Sequence, residues 1–338
     1  MNIQEIAERA RVSTATLSRT MNRHLSVQPQ LAKRVRRIVE EFGYFPNTQA
    51  RALVSGRSRI FGLIVSEITN PFFPEIAHVF EGTAVQHNYE ILVTSKVHDP
   101  ERMKTSVRRM LEHRVEGVAA MTFRMEESLF EDLKLHNVPL VFVDAGPQRP
   151  RVSNIRIDYL HGIRQAVQHL AALRHEKIAF ITGPLAWKSA LARKDAFVRA
   201  LSEMGMAGQL ELIVEGDHTL EGGEEACAKL LNRRLRPTAI LCSNDMTAIG
   251  AMRKCYSEKI APQELSVIGF NNIRLSQYIL PPLTAIEMSQ IELGRLAFQA
   301  LLQDVRREIP NPKGTEYVPK TSFILRDSTA LNPGKGRS

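Results

Sequence analysis

The sequence holds 338 residues, 43% hydrophobic and 24% charged, with a formal net charge of +9. These values fit a soluble protein long enough for more than one domain. No apolar run reaches the ~18 residues of a membrane span, and MNIQEIAERA is not built like a secretion signal, so a cytoplasmic chain with no membrane partner is expected.

Cys227, Cys242 and Cys255 are odd in number and far apart, which leaves neither a disulfide framework nor a CxxC metal pair. The charge is concentrated. Residues 1–60 hold eleven Lys and Arg against four acids, +7 of the total, so the remainder is close to neutral at +2. A basic sixth on a neutral body points to a polyanion for that segment alone, although a solvated basic face fits the same count.

In chain order, Asn2 and Glu5 fit a capping box for a first helix over about Ile3 to Ala10. Ser13 is a good cap for a second, with Leu17 and Met21 inward and Thr14, Ala15, Ser18 and Arg19 outward. A third opens at Pro29, carries Leu31, Val35, Ile38, Val39 and Phe42 on one stripe and stops at Gly43. Any small three-helix bundle fits that spacing, but the added charge favours a helix-turn-helix whose second helix reads the major groove. Arg19 then suits guanine N7 and O6, and the Thr14 and Ala15 methyls suit a thymine methyl. Arg34, Arg36 and Arg37 are expected on phosphates or on a solvated face.

PNTQARALVSGRSR (46–59) predicts a short helix over 48–55, capped by Asn47 and ended by Gly56, too short to be stable alone. Arginines around one aliphatic side chain fit a minor-groove wedge, Leu53, while packing of Leu53 against its own chain fits the same residues.

Eight β-branched runs follow: 61–65, 91–95, 115–121, 139–144, 177–182, 210–214, 238–243 and 266–270, with amphipathic helical stretches between most of them. This alternation predicts an α/β body of two doubly wound parallel-sheet subdomains. Ligands bind beyond the carboxyl ends of such strands. That places Asn70 to Phe73, Asp144, the 183–189 loop with Arg193 behind it, His218, Asn244 with Asp245, and Asn271 at a site suited to a small polar ligand. Each also has a structural alternative: Arg193 paired with an acid, Asp144 and Asn244 as helix caps, the phenylalanines in the core.

VSTATLSRTMN (12–22), EEFGYFPNTQARALVSGRSR (40–59), GLIVSEITNPFF (62–73), SNDMTAIGAM and SVIGFNN resemble the lactose-repressor (LacI/GalR) family of bacterial transcription regulators, and the resemblance extends through nearly the whole chain. It implies a lambda-repressor-like helix-turn-helix and a periplasmic-binding-protein-like type I body. It further implies a hinge helix that folds against its dimer mate on operator DNA, where the leucines matching Leu53 pry open the central base step. Candidate DNA-contacting residues are Ser13, Thr14, Ala15, Ser18, Arg19, Asn22, Asn47, Ala50, Arg51 and Leu53. Phe72, Phe73, Ser189, Arg193, Asn244 and Asn271 match family pocket positions, and Asp144 and His218 complete the candidate effector site. Two positions depart from the pattern. Gln28 stands where Ser or Thr often caps the third helix, and Asn271 where sugar-binding members usually carry aspartate. An amide there fits an effector with fewer paired hydroxyls or with an anionic group.

The expected organisation is a DNA-binding domain at 1–45, a hinge and linker at 46–59, an effector-binding and dimerisation domain at 60–330 with crossings near 158 and 287, and a disordered tail at 331–338. No GxSxG, HExxH, P-loop or GxGxxG is present, so no enzyme, catalytic residue, metal or cofactor is expected. The expectation is a homodimeric regulator, most simply a repressor, on a palindromic operator, responding to a small polar metabolite of the sugar or sugar-acid class. The alternative is a solute-binding protein of the same body fold. The tail lacks leucine heptads, so coiled-coil tetramers are not expected.

Overall fold

The computed structural model describes residues 2–21, 26–44, 57–95, 99–121, 127–144, 150–206, 210–307 and 313–332, with Gly146, Ile309, Asn311 and Gly334. The chain divides into two compact units, Met1–Ser58 and Arg59–Ser338. Asn22, Asn47, Ala50, Arg51 and Leu53 lie outside the described residues.

In the first unit, α1 (Ile3–Arg9), α2 (Thr14–Met21) and α3 (Pro29–Glu41) surround a core of Ile6, Ala7, Ala10, Leu17, Val35 and Val39. The capping box forms in both directions, Glu5 N donating to Asn2 Oδ1 at 2.9 Å and Asn2 N to Glu5 Oε2 at 3.1 Å. Ser13 Oγ accepts from Thr16 N at 3.1 Å and so starts α2. Gln28 gives α3 no side-chain cap, leaving Pro29 in the first turn to start it. Past the end of α3, Gly43 takes φ +56°, a left-handed value that suits a residue with no Cβ. Two arginines of this unit do local structural work: Arg34 Nη2 donates to Ala10 O at 3.1 Å, and the Arg9 guanidinium lies 4.4 Å from the centre of the Phe42 ring.

The second unit begins with β1 (Ile60–Val65), α4 (Phe72–Gln86), β2 (Glu90–Ser95), α5 (Pro100–Glu112), β3 (Gly117–Met121), α6 (Glu127–Leu135), β4 (Leu140–Val143) and β5 (Val152–Ile155). It continues through α7 (Tyr159–Ala172), β6 (Ile178–Thr182), α8 (Lys188–Glu203), β7 (Ile213–Glu215), α9 (Leu220–Leu231), β8 (Ala239–Cys242), α10 (Asp245–Ser257), β9 (Ser266–Asn271) and β10 (Thr284–Glu287). It closes with α11 (Gln290–Arg306), β11 (Glu316–Tyr317) and β12 (Ser322–Ile324).

The strands form two six-stranded sheets, ordered β11-β5-β4-β3-β1-β2 and β12-β10-β9-β8-β6-β7, one in each lobe. All pairs are parallel except β10 with β12. Strands covered by helices on both faces read as near-continuous apolar runs, as FGLIV and IAFIT do. In each sheet the winding reverses beside one strand, β1 in the first and β6 in the second, and a crevice opens beyond such a strand.

Four strands escape the sequence reading. β5 is VSNI, whose buried Ser153 and Asn154 break the apolar run; β10 directly follows Pro281 and Pro282 once Leu283 is passed; β11 and β12 are two and three residues long. The expected strand at 210–214 starts instead as a 3-10 turn, Leu210–Leu212, before β7. The chain passes between lobes three times, between Ile155 and Tyr159, between Glu287 and Gln290, and between Tyr317 and Ser322. The third passage is absent from the sequence expectation, because it is bracketed by two of the unread strands. The tail boundary at 331 also needs correction: Asn332 N donates to Leu173 O at 2.9 Å, so the chain is still docked there. Among the described residues, no helix is long and apolar enough to cross a membrane.

Candidate functional site

The outward face of α2 presents Thr14, Ala15, Ser18 and Arg19 to solvent, with Ser13 exposed just before them, while Leu17 and Thr20 are buried on the other side. The helix period of 3.6 separates the two faces, so the residues that hold α2 down are not those free to meet a partner.

Between the two lobes of the second unit lies a cleft open to solvent, with about 50 Å³ of enclosed free space. Its walls bring together all eight residues of the expected effector site: Phe72, Phe73 and Asp144 from the first lobe, Ser189, Arg193, His218, Asn244 and Asn271 from the second. Phe72 and Phe73 open α4 just beyond β1, edge to face at 5.3 Å between ring centres. Asp144, His218 and Asn271 take φ of +91°, +70° and +106°, a costly left-handed backbone for residues with a Cβ. Such turns at strand ends aim side chains into the crevice, and held strain of this kind gathers where function requires it.

Arg193 is 5% exposed. Its Nη1 donates to Ser243 O at 2.6 Å, its Nη2 to the Tyr159 hydroxyl oxygen at 3.4 Å, and its guanidinium sits 4.8 and 4.7 Å from the centres of the Tyr159 and Phe270 rings. The Tyr159 hydroxyl in turn donates to Asp144 Oδ2. Burial raises the Asp144 carboxyl above its ordinary range, opposed by the Arg193 charge and the Tyr159 hydrogen bond. Burial likewise lifts Tyr159 well above 10, so it stays a proton donor.

His218 Nε2 and Ser243 Oγ are hydrogen-bonded at 2.7 Å, and the ring has room because residue 183 is glycine, where a Cβ would fall 2.0 Å from Nε2. Burial, helped by the Arg193 charge, depresses His218 to about 3, so it is neutral at physiological pH. The unfolded chain protonates His218 below about 6.5 while the folded chain does not, so this contribution is full above pH 6.5 and is lost as pH falls toward 3. His218→Gln is therefore expected to lose less stability than the parent between pH 7 and 5, by about 2 kcal/mol. Urea unfolding at both pH values checks this, and equal losses would refute it.

Asn244 lines the cleft, but its Oδ1 accepts from Thr247 N at 2.8 Å as the cap of α10, and its Nδ2 donates to His218 O at 2.9 Å. It builds the wall more than it offers free polar groups. In contrast, Ser189 Oγ, Arg193 Nε and Asn271 Oδ1 are buried with no hydrogen-bond partner. Buried polar atoms are costly to leave unmatched, so three of them around one cleft mark where a ligand's polar groups fit.

Sequence reasoning missed Tyr159, which touches Asp144 and Arg193, and also the lining residues Met121, Val143 and Met288, whereas Lys188 falls in the expected 183–189 loop. The strand-end rule would have found Tyr159 and Met288 had β5 and β10 been read. Among the described residues, no three His, Cys, Asp or Glu side chains gather as a metal-holding group.

A helix-turn-helix unit joined to a two-lobed body with a polar cleft defines a ligand-responsive DNA-binding regulator. Residues 2–47 match the bacterial regulatory proteins of the lacI family, and residues 167–329 match the periplasmic binding protein-like domain. The chain is 33% identical over 306 residues to the HTH-type transcriptional repressor PurR of Aliivibrio salmonicida, covering 90% of this chain and 92% of that protein. It is also 33% identical over 310 residues to catabolite control protein A of Priestia megaterium, covering 91% and 93%. The lac repressor dimer bound to operator and the anti-inducer ONPF has a TM-score of 0.86 and 26% identity, over 98% of this chain and 99% of that one. The chain belongs to the lacI family of bacterial regulatory proteins. It is a transcriptional regulator with an effector-binding domain, not a solute-binding protein, and these relatives are regulators, not enzymes.

Proposed function

We propose that this regulator acts as a homodimer on a palindromic operator, most simply as a repressor, and that a hydroxylated anion of the sugar-acid class in the cleft sets its operator affinity. Each half-site is read by Thr14, Ala15 and Arg19 of α2, with Ser13, Ser18 and Asn22 beside them on the backbone. Asn47, Ala50, Arg51 and Leu53 engage the centre of the site from the hinge.

The observation that carries the effector reading is the set of unmatched buried atoms. Arg193 Nε needs an acceptor, Asn271 Oδ1 needs a donor, and Ser189 Oγ takes either. A carboxylate with neighbouring hydroxyls supplies all three, and its carbon skeleton can lie against Phe72 and Phe73. Lys188 at the cleft adds a second positive charge to that of Arg193, against the single carboxylate of Asp144. Cationic excess favours an anion over a neutral sugar.

The test is selection of bound sequences from a random DNA pool at a stated salt concentration, then displacement of the selected DNA by aldonates such as D-gluconate and by the matching neutral sugars. A palindrome whose binding changes with an aldonate supports the reading. A single unrepeated site would overturn the two-fold operator, and a response to neutral sugars alone would overturn the anionic effector.

A further inference from the structure

Hydrogen bonds bring carboxylates of the first lobe to the second at two places among the described residues. One is exposed, Arg274 N donating to Glu75 Oε1 at 3.0 Å; the other joins the buried Tyr159 hydroxyl to Asp144. Water competes for the first, whereas the second lies in a low dielectric where each bond counts for more, so the second dominates. Tyr159 is also the first residue of α7, directly after the first passage between lobes, with Asp158 capping that helix by accepting from His161 N at 3.2 Å. Rotation of one lobe against the other therefore changes the distance from its hydroxyl to Asp144.

We infer that Tyr159 is a positioning residue that ties cleft occupancy to lobe closure: its hydroxyl holds Asp144 of the first lobe while accepting from Arg193 of the second. An anion seated on Arg193 competes with Tyr159 for Nη2 and cancels the charge that favours the Asp144 carboxylate. Occupancy is thus felt by the bond that joins the lobes. The direction of the ligand's effect rests on the anionic reading above; the closure bond itself rests on the cleft geometry alone.

The test is hydrogen exchange on the full-length chain without ligand or DNA, comparing the parent with Tyr159→Phe, which removes the donor, and Asp144→Leu, which removes the acceptor. Phenylalanine keeps a ring under the Arg193 guanidinium and removes only the hydroxyl. Exchange at residues 70–76 and 271–275, one segment from each cleft wall, is expected to rise roughly three- to tenfold in both variants, with α7 unchanged. The groups that face Asp144 are Arg193 from α8 and Tyr159 from α7, with Lys188 and His218 on the same cleft and His218 neutral down to about pH 3. Acidification that protonates Asp144 should raise parent exchange at the two segments, and this pH step should vanish in Tyr159→Phe. Cleft exchange equal to the parent would overturn the inference, as would a rise that extends through α7, which marks a packing role. Because neither effector nor operator enters the experiment, a wrong effector class leaves its outcome untouched.

Discussion

Arg193→Ala is expected to abolish the effector response while leaving operator binding by the unliganded chain within about threefold of the parent. Among the described residues the guanidinium is the only buried cation lining the cleft, its Nε has no hydrogen-bond partner, and two aromatic rings fix its plane. A charged hydrogen bond to a ligand anion contributes ~1.5–3 kcal/mol, and Arg193 has at least one donor to give, so the half-maximal ligand concentration should rise about 10- to 100-fold or pass out of range. Arg193→Lys distinguishes charge from geometry. It keeps the charge but lacks the planar fork that holds Ser243 O and the Tyr159 hydroxyl, and most of the response should still be lost. Fluorescence anisotropy of labelled operator, titrated with whichever aldonate moves the parent, gives the answer. An unchanged midpoint would remove Arg193 from the site.

Most residues that the strand-end rule reached lie at the ends of strands with long apolar runs; His218, beyond the three-residue β7, is the exception. β1, β4, β6, β8 and β9 are apolar from end to end or nearly so; Phe72, Asp144, Ser189 and Asn244 follow the first four at a distance that sequence can measure, and Asn271 ends the fifth. β5 carries Ser153 and Asn154 inward, where Ser153 Oγ donates to Asp304 at 2.6 Å. Such a buried polar pair reads as loop, because the partner that satisfies Ser153 lies 151 residues away. Losing β5 meant losing Tyr159, the residue through which the two lobes meet in the cleft. Asn244 shows a different limit. Capping a helix and binding a ligand ask for the same short polar side chain, and only the position of Thr247 N and His218 O decides between them. In the first unit the caps were legible because they are local, Asn2 with Glu5 and Ser13 with Thr16, whereas the hold of Arg34 on Ala10 O spans 24 residues and left no trace in the pattern.

Leu53→Ala is expected to lower specific operator affinity by about 10- to 100-fold and to leave random-sequence binding nearly unchanged. Leu53 lies outside the described residues; in the sequence it stands as one aliphatic side chain among Arg51, Arg57 and Arg59. Binding to any duplex draws on phosphate neutralisation by the basic segment, +7 over residues 1–60, and alanine removes none of that charge. Specific binding adds the work of opening a base step, a few kcal/mol recovered only if an apolar side chain fills the gap and the kinked duplex meets more protein. Without the wedge, the opened step is no longer favoured, so the loss falls on the specific complex. The salt slope should therefore stay the same for both DNAs between about 50 and 200 mM, while the intercept drops for the operator alone. Filter binding across that range measures both quantities. Equal losses on operator and random DNA would mean that Leu53 packs within its own chain and supports the fold of the hinge, not the opening of the base step.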